Sequence, residues 1–160
     1  YLYKPYNSIF ALGFDTARVK QREFNKSFDG FRDYETTTSH LNLYAKEPFF
    51  ELNLKFSYGK YLAGDIGYTV DLSRYFSNGT RMGAFFTRTD LSFEEFGEGS
   101  FDKGIYIHIP IDFFALFRSK NWRLAGITGT TYKPLTRDGG AKLAMNRELY
   151  FMVEESSMFD

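Results

Sequence analysis

Apolar residues recur at every second position along most of this 160-residue chain, and that period excludes most folds at once. The clearest run is 50–60, where Phe50, Leu52, Leu54, Phe56 and Tyr58 share one face and Glu51, Asn53, Lys55, Ser57 and Gly59 the other. The next run repeats it, with Ile66, Tyr68, Val70 and Leu72 against Gly67, Thr69, Asp71 and Ser73. Successive side chains of a strand point to opposite faces, so each run predicts a strand with one apolar and one polar face. Further strands are predicted around Phe10–Phe14 and Leu41–Ala45, over Arg81–Asp90 and Gly104–Asp112, and from Trp122 to Tyr132. Residues 1–143 therefore read as about seven or eight strands, with 144–160 as a tail or short helix.

The connections are of two kinds. Short turns are expected near Glu47-Pro48, at the Asn-Gly of Ser77–Thr80, whose residues accept positive φ, and at Arg118–Asn121. Between them fall Phe24–Asp33, the Ala63–Asp65 bend, Phe93–Lys103 and Pro134–Lys142, of which three are long and polar. An up-and-down antiparallel sheet places alternate connections at opposite ends. The expectation is an all-β, antiparallel up-and-down barrel of the outer-membrane type, or part of one, with tight turns at one end and longer loops at the other.

Alternation alone does not say which face points inward, because a soluble sandwich also alternates. Aromatics make up 20% of the chain, with 19 Phe and 12 Tyr, enough to build the ring girdles of a membrane barrel. They gather near strand ends: Phe49 and Phe50, Tyr58 and Tyr61, Tyr75 and Phe76, and Phe113, Phe114 and Phe117. Caps over a soluble core would use the same positions. Mean hydropathy is −0.37, and no run reaches the ~18 apolar residues of a membrane helix. Membrane strands give a weak hydropathy signal, so both readings stay open.

Lys plus Arg and Asp plus Glu number 20 each, which leaves no net field to draw nucleic acid. The absence of cysteine excludes disulfides, thiolate metal sites and cysteine nucleophiles. No signal peptide is visible, and the chain opens on Tyr1, as a mature protein or a piece of a longer one would.

Specific chemistries fail on spacing. The "GEGSFDKG" stretch is followed by a strand pattern, whereas a phosphate loop opens a helix. Glu94 and Glu95 just before it, with its Glu98 and Asp102, do not follow the order of a calcium-binding loop. A carboxylate pair for glycoside hydrolysis would need a fixed separation that sequence does not supply. These four residues read first as an external loop, then as a binding patch. Arg137 and Asp138 in "KPLTRDGG" read as an ion pair within a bend or as contacts to lipopolysaccharide phosphates. His40 and His108 each fall opposite their strand's apolar set and read as polar-face residues, so no metal or cofactor is expected. No GxSxG elbow is present, and the chain is not expected to be an enzyme.

Four stretches, "VKQREF…FRDY" (19–34), "GKYLAGDIG" (59–67), "FEEFGEGSFDKGIYIHIPID" (93–112) and "YKPLTRDGGAKL" (132–143), resemble the YjbH-type family of exopolysaccharide and capsule export proteins. The resemblance runs in order through most of the chain. It implies a Gram-negative outer-membrane β-barrel that assists secretion of a polysaccharide and works beside other export proteins. It also implies a longer protein with two barrels, of which this would be the C-terminal part. Family members offer no catalytic residues to carry over. On this reading the barrel is a passive, porin-like conduit in contact with outer-membrane lipid and lipopolysaccharide. Strand parity then makes Glu51, Asn53, Lys55, Thr69, Asp71, Tyr106 and His108 the residues facing the polymer, with Leu52, Leu54, Val70 and Ile107 facing lipid. The competing expectation is a soluble periplasmic β-domain that binds glycans or scaffolds the export complex. A polymer-trimming enzyme using Glu94, Glu95 and Glu98 is the third.

Overall fold

The alternating runs become strands of a single antiparallel sheet. The computed structural model describes residues 1–22, 30–77, 80–92, 102–110, 128–132, 149–151 and 153. Its eight strands are β1 (Leu2–Tyr3), β2 (Phe10–Arg22), β3 (Phe31–Glu47), β4 (Leu52–Lys60), β5 (Ile66–Tyr75), β6 (Arg81–Thr89), β7 (Asp102–Pro110) and β8 (Thr128–Tyr132). Spatial order equals chain order, β1 through β8, and every neighbouring pair is antiparallel. This is the up-and-down topology the sequence predicts. Among the described residues no pairing joins β1 to β8, so the sheet is open as described and ring closure is not part of it. Residues 149–151 and 153 are helical.

Several boundaries differ from the sequence reading. β4 begins at Leu52, because Glu51 sits in the preceding turn with φ of 56°. That turn is capped by Glu47, whose carboxylate accepts the N–H groups of Phe49 (2.8 Å) and Phe50 (2.6 Å). β3 starts at Phe31, inside the connection expected over 24–33, and β7 starts at Asp102, inside that expected over 93–103. β3 pairs with β4 only from Ser39 onward, so its first residues and the facing part of β2 run on as a two-stranded arm. The arm is polar: Arg18 and Lys20 both pair with Glu35, the latter at 3.2 Å. β1, two residues long, is too short for a periodicity argument to find. Asn78-Gly79, the turn expected at 118–121, and the 133–148 stretch lie outside the described residues.

The packing is inverted relative to a soluble sheet. Phe10, Leu12, Phe14, Leu41, Leu43, Leu54, Phe56, Ile66, Leu72, Met82, Phe86 and Ile105 are exposed. Thr38, His40, Asn42, Asn53, Lys55, Ser57, Thr69, Ser73, Arg81 and Thr87 are buried. Burying unpaired polar groups costs several kcal/mol each, whereas exposing this much contiguous apolar surface to water invites association. Register lines this face up across the sheet: Leu12, Leu43, Phe56, the half-buried Val70 and Phe86 form one row, and Phe10, the half-buried Ala45, Leu54, Leu72, Ala84 and Ile105 another. Arg74 and Glu47 border this belt at one end, and Ser39, Lys60 and Arg88 at the other.

Glycines fix the local curvature. Gly59 and Gly67 are register partners, and a Cβ on either would overlap backbone, Ser39 O in the first case and Arg88 O in the second. Such close approach is a reason for glycine inside a strand. Between them, Gly64 takes a φ of 86° in the β4–β5 turn. The "GKYLAGDIG" stretch is thus one tightly bent hairpin.

Candidate functional site

The polar face is built from rows of side chains that register brings together. One row runs Gly13, Asn42, Ser57, Thr69, Thr87 and Asp102 across β2 to β7. Here Asn42 Nδ2 donates to Asp15 Oδ2 at 2.7 Å, and Ser57 Oγ donates to Asn42 Oδ1 at 2.6 Å. Further along, the Thr69 hydroxyl lies 2.6 Å from Tyr61 Oη and 2.7 Å from Thr87 Oγ1. Each hydroxyl can both donate and accept, so the three form a linear relay centred on Thr69. His40 is buried in the neighbouring row, edge-on to Tyr61 with ring centroids 4.8 Å apart. Its Nδ1 lies 3.4 Å from Asp15 Oδ1 without hydrogen-bond alignment.

Two rows further along, the chemistry is ionic. Arg81 opens β6, and its guanidinium is 3.3 Å from Asp71 Oδ1 and 3.0–3.1 Å from Ser73 Oγ. Tyr106 on β7 donates to the same Asp71 oxygen at 2.7 Å. Lys55 is the register partner of Asp71, so cations flank this carboxylate on both sides of its strand. The Tyr106 ring lies over Gly83, where a Cβ would overlap it. An aromatic laid over a strand glycine covers backbone that would otherwise stay open.

An aromatic cluster completes the face. Ala11, Tyr44, Tyr75, Tyr150 and Phe151 pack together, with Leu2 against them. The Tyr44 and Tyr150 rings stack at 4.3 Å and 11°, and Tyr150 Oη reaches Asn53 Oδ1 at 3.3 Å. The Arg81 guanidinium sits 3.3 Å from the Phe151 ring centre, and Phe151 also meets Tyr44 and Tyr75 edgewise or tilted. Side chains from β3 and β6, three strands apart, converge on one ring, as on the inside of a curled sheet.

Of the residues parity assigned to this face, Asn53, Lys55, Thr69 and Tyr106 are buried on it and Asp71 is half-buried within its ionic knot. Glu51 is a correction: it stands in the turn outside β4, exposed, with its carboxylate 3.8 Å from Arg74. His108 is the register partner of Arg81 and Thr131. Asp102 is the first residue of β7, while Glu94, Glu95, Glu98, Arg137 and Asp138 lie outside the described residues. Among the described residues no group of three or more His, Asp or Glu is placed to hold a metal ion. The expected ring girdle splits. Phe49, Phe50, Tyr58 and Phe76 are exposed, but Tyr61 and Tyr75 turn inward and are buried, and 113–117 are outside the described residues. Parity carried through β3 and β6 would have found Asn42, Tyr44, Arg81 and Thr87. Tyr61 and Tyr150 lie off the strands, where parity gives no signal.

The family model described as "Exopolysaccharide biosynthesis protein YbjH" matches residues 1–155. A protein of Escherichia coli (strain K12), described as "Uncharacterized lipoprotein YjbH", is 41% identical over 160 residues, covering 98% of this chain and 22% of that relative. The chain thus spans about a fifth of the length of the curated relative it matches. No solved structure matches it significantly.

Proposed function

The chain belongs to the YjbH exopolysaccharide biosynthesis protein family, and from that premise we propose that it is part of an outer-membrane β-barrel through which a polysaccharide leaves the cell. One observation carries the proposal: the apolar face of the sheet is exposed and the polar face is buried. Lipid rewards that arrangement and water penalises it. The strand lengths agree. β4 to β7 have 9, 10, 9 and 9 residues, and a strand tilted about 45° needs about 9–11 to cross the hydrocarbon. Closure of the sheet into a ring is part of the proposal and would remove its free edges.

The role is passive. Hydroxyls, amides and balanced charges from Asn53, Lys55, Thr69, Asp71 and Arg81 offer hydrogen bonds to sugar hydroxyls. The buried tyrosine rings offer flat apolar faces that fit those of a pyranose. No reaction is assigned to the chain. The polymer, outer-membrane lipid and neighbouring export proteins are its proposed partners.

A second reading has an observation of its own. The curated relative is described as a lipoprotein, and a lipid anchor can hold a soluble periplasmic β-domain that binds glycans or scaffolds other proteins. Single cysteines decide between the two, read against the labelling of the unaltered full-length protein, since this stretch adds no cysteine of its own. In the full-length protein in intact outer membranes, Leu54→Cys and Phe86→Cys should resist a water-soluble maleimide and react with a lipid-soluble one. Glu51→Cys, in its exposed turn, should label with both. Free labelling of all three positions by the water-soluble reagent would sink the barrel and favour the periplasmic domain.

A further inference from the structure

The stack of Tyr150 on Tyr44 has the geometry of a bound sugar. A flat ring lies 4.3 Å above a tyrosine face, tilted by 11°, and its hydroxyl meets the Asn53 side-chain amide at 3.3 Å. A pyranose on a protein surface is held by the same two elements, an apolar face on an aromatic ring and an equatorial hydroxyl on an amide or charged group. Beside it, the Arg81 guanidinium covers Phe151 at 3.3 Å, while Lys4 Nζ stands 5.6 Å from the Tyr150 ring centre. The two rings that fill this place come from 149–151, a helical segment, and not from the sheet. Tyr150 and Phe151 are buried, whereas Leu149 and Val153 on the same segment are exposed at 52% and 43%. The segment therefore inserts two rings onto the polar face and leaves Leu149 and Val153 outside. The described contacts between this segment and the sheet include ring contacts, a cation over each of the two rings and one long hydrogen bond.

We propose that Tyr44, Asn53 and Arg81 form a pyranose-binding subsite on the polar face, and that Tyr150 and Phe151 are an intrinsic cover that the polysaccharide displaces. The inference rests on the proposed export role, because only a polymer moving along this face would meet the subsite. A ligand that needs the uncovered state binds more weakly by the fraction of time the cover is off. Loosening the cover should therefore tighten binding, and removing the platform should abolish it.

The test uses the full-length protein in detergent and, as probe, the polysaccharide fraction purified from the source cells' culture medium. The double variant Y150A/F151A should bind it about tenfold more tightly than the unaltered protein. Adding Tyr44→Ala to that variant should reverse the gain. In the unaltered protein, saturating polysaccharide should raise amide hydrogen exchange at 149–153 and lower it around Tyr44 and Asn53, a readout that needs no substitution to fold. Equal or weaker binding by Y150A/F151A would overturn the cover, as would exchange at 149–153 that ignores bound polysaccharide. Tight binding that survives Tyr44→Ala would overturn the subsite, and so would absence of binding by any form. None of these results depends on the cysteine labelling pattern, so the subsite can fail while the barrel stands.

Discussion

Leu43→Arg separates a lipid-facing belt from a solvated one by the size of its effect. Leu43 lies on the exposed face of β3, four residues from Glu47 and four from Ser39, which bound the belt at either end. At about 3.4 Å per residue, four residues span about 14 Å along the strand. In the proposed barrel a strand tilted about 45° would convert that into about 10 Å along the membrane normal and put Leu43 at the middle of a belt about 20 Å deep. Arginine on the lipid face of a barrel costs about 2–4 kcal/mol at the midplane and about 0–1 kcal/mol at the interfaces. Leu43→Arg should thus shift the folding equilibrium by about 30- to 1,000-fold, and Ser39→Arg, at the border of the belt, by little. On a solvated face a side chain already 45% exposed should tolerate the change within about 0.5 kcal/mol. The assay is denaturant-driven unfolding of the full-length protein in phosphatidylcholine vesicles, with Leu43→Ala as the control for lost packing. Leu43→Arg and Ser39→Arg variants of equal stability would refute the reasoning, since depth dependence is what lipid adds.

Substitutions at three further sites probe the polar face, each read by the same unfolding measurement. Asp71→Ala leaves the Arg81 guanidinium and the Tyr106 hydroxyl without their shared acceptor and should cost about 3 kcal/mol, while Asp71→Asn, which keeps an acceptor oxygen, should cost less. Thr69→Val keeps the shape but removes the hydroxyl between Tyr61 and Thr87, and the expected loss is about 1–2 kcal/mol; a neutral result would mean that other partners satisfy both hydroxyls. Gly83→Ala puts a methyl into the Tyr106 ring and should destabilise by about 1–3 kcal/mol, with part of the loss recovered by adding Tyr106→Ser.

Strand identity and order were legible because side-chain direction along a strand is strictly alternating. Leu54, Phe56 and Leu72 could be placed together, opposite Asn53, Lys55 and Thr69, from position alone. The direction of those faces was not legible, since a soluble sheet and a lipid-exposed sheet write the same alternation. Boundaries were missed where local bonding overrides pattern. Glu51 keeps the parity of β4 but lies in a turn that Glu47 caps through its carboxylate. β3 continues through the polar "FRDYETTT" stretch because cross-strand pairs such as Arg18–Glu35 support it without an apolar face.

The candidate site was legible only as far as the strands reach. Asn42, Tyr44, Arg81 and Thr87 obey the same parity as the residues identified from sequence, so the rule was sufficient there and only its application stopped short. Tyr61 and Tyr150 are different. Tyr61 reaches Thr69 because the Gly59–Gly67 hairpin bends it back over the sheet, and Tyr150 reaches Tyr44 across 106 positions of chain. Neither contact leaves a periodic trace. Both add tyrosines where strand parity supplies amides, threonines and charges, and the face thereby combines apolar rings with hydrogen-bonding edges. That combination suits a carbohydrate better than an ion or a lipid. An ion would need convergent carboxylates, and a lipid would need the apolar surface that this sheet presents on its other side.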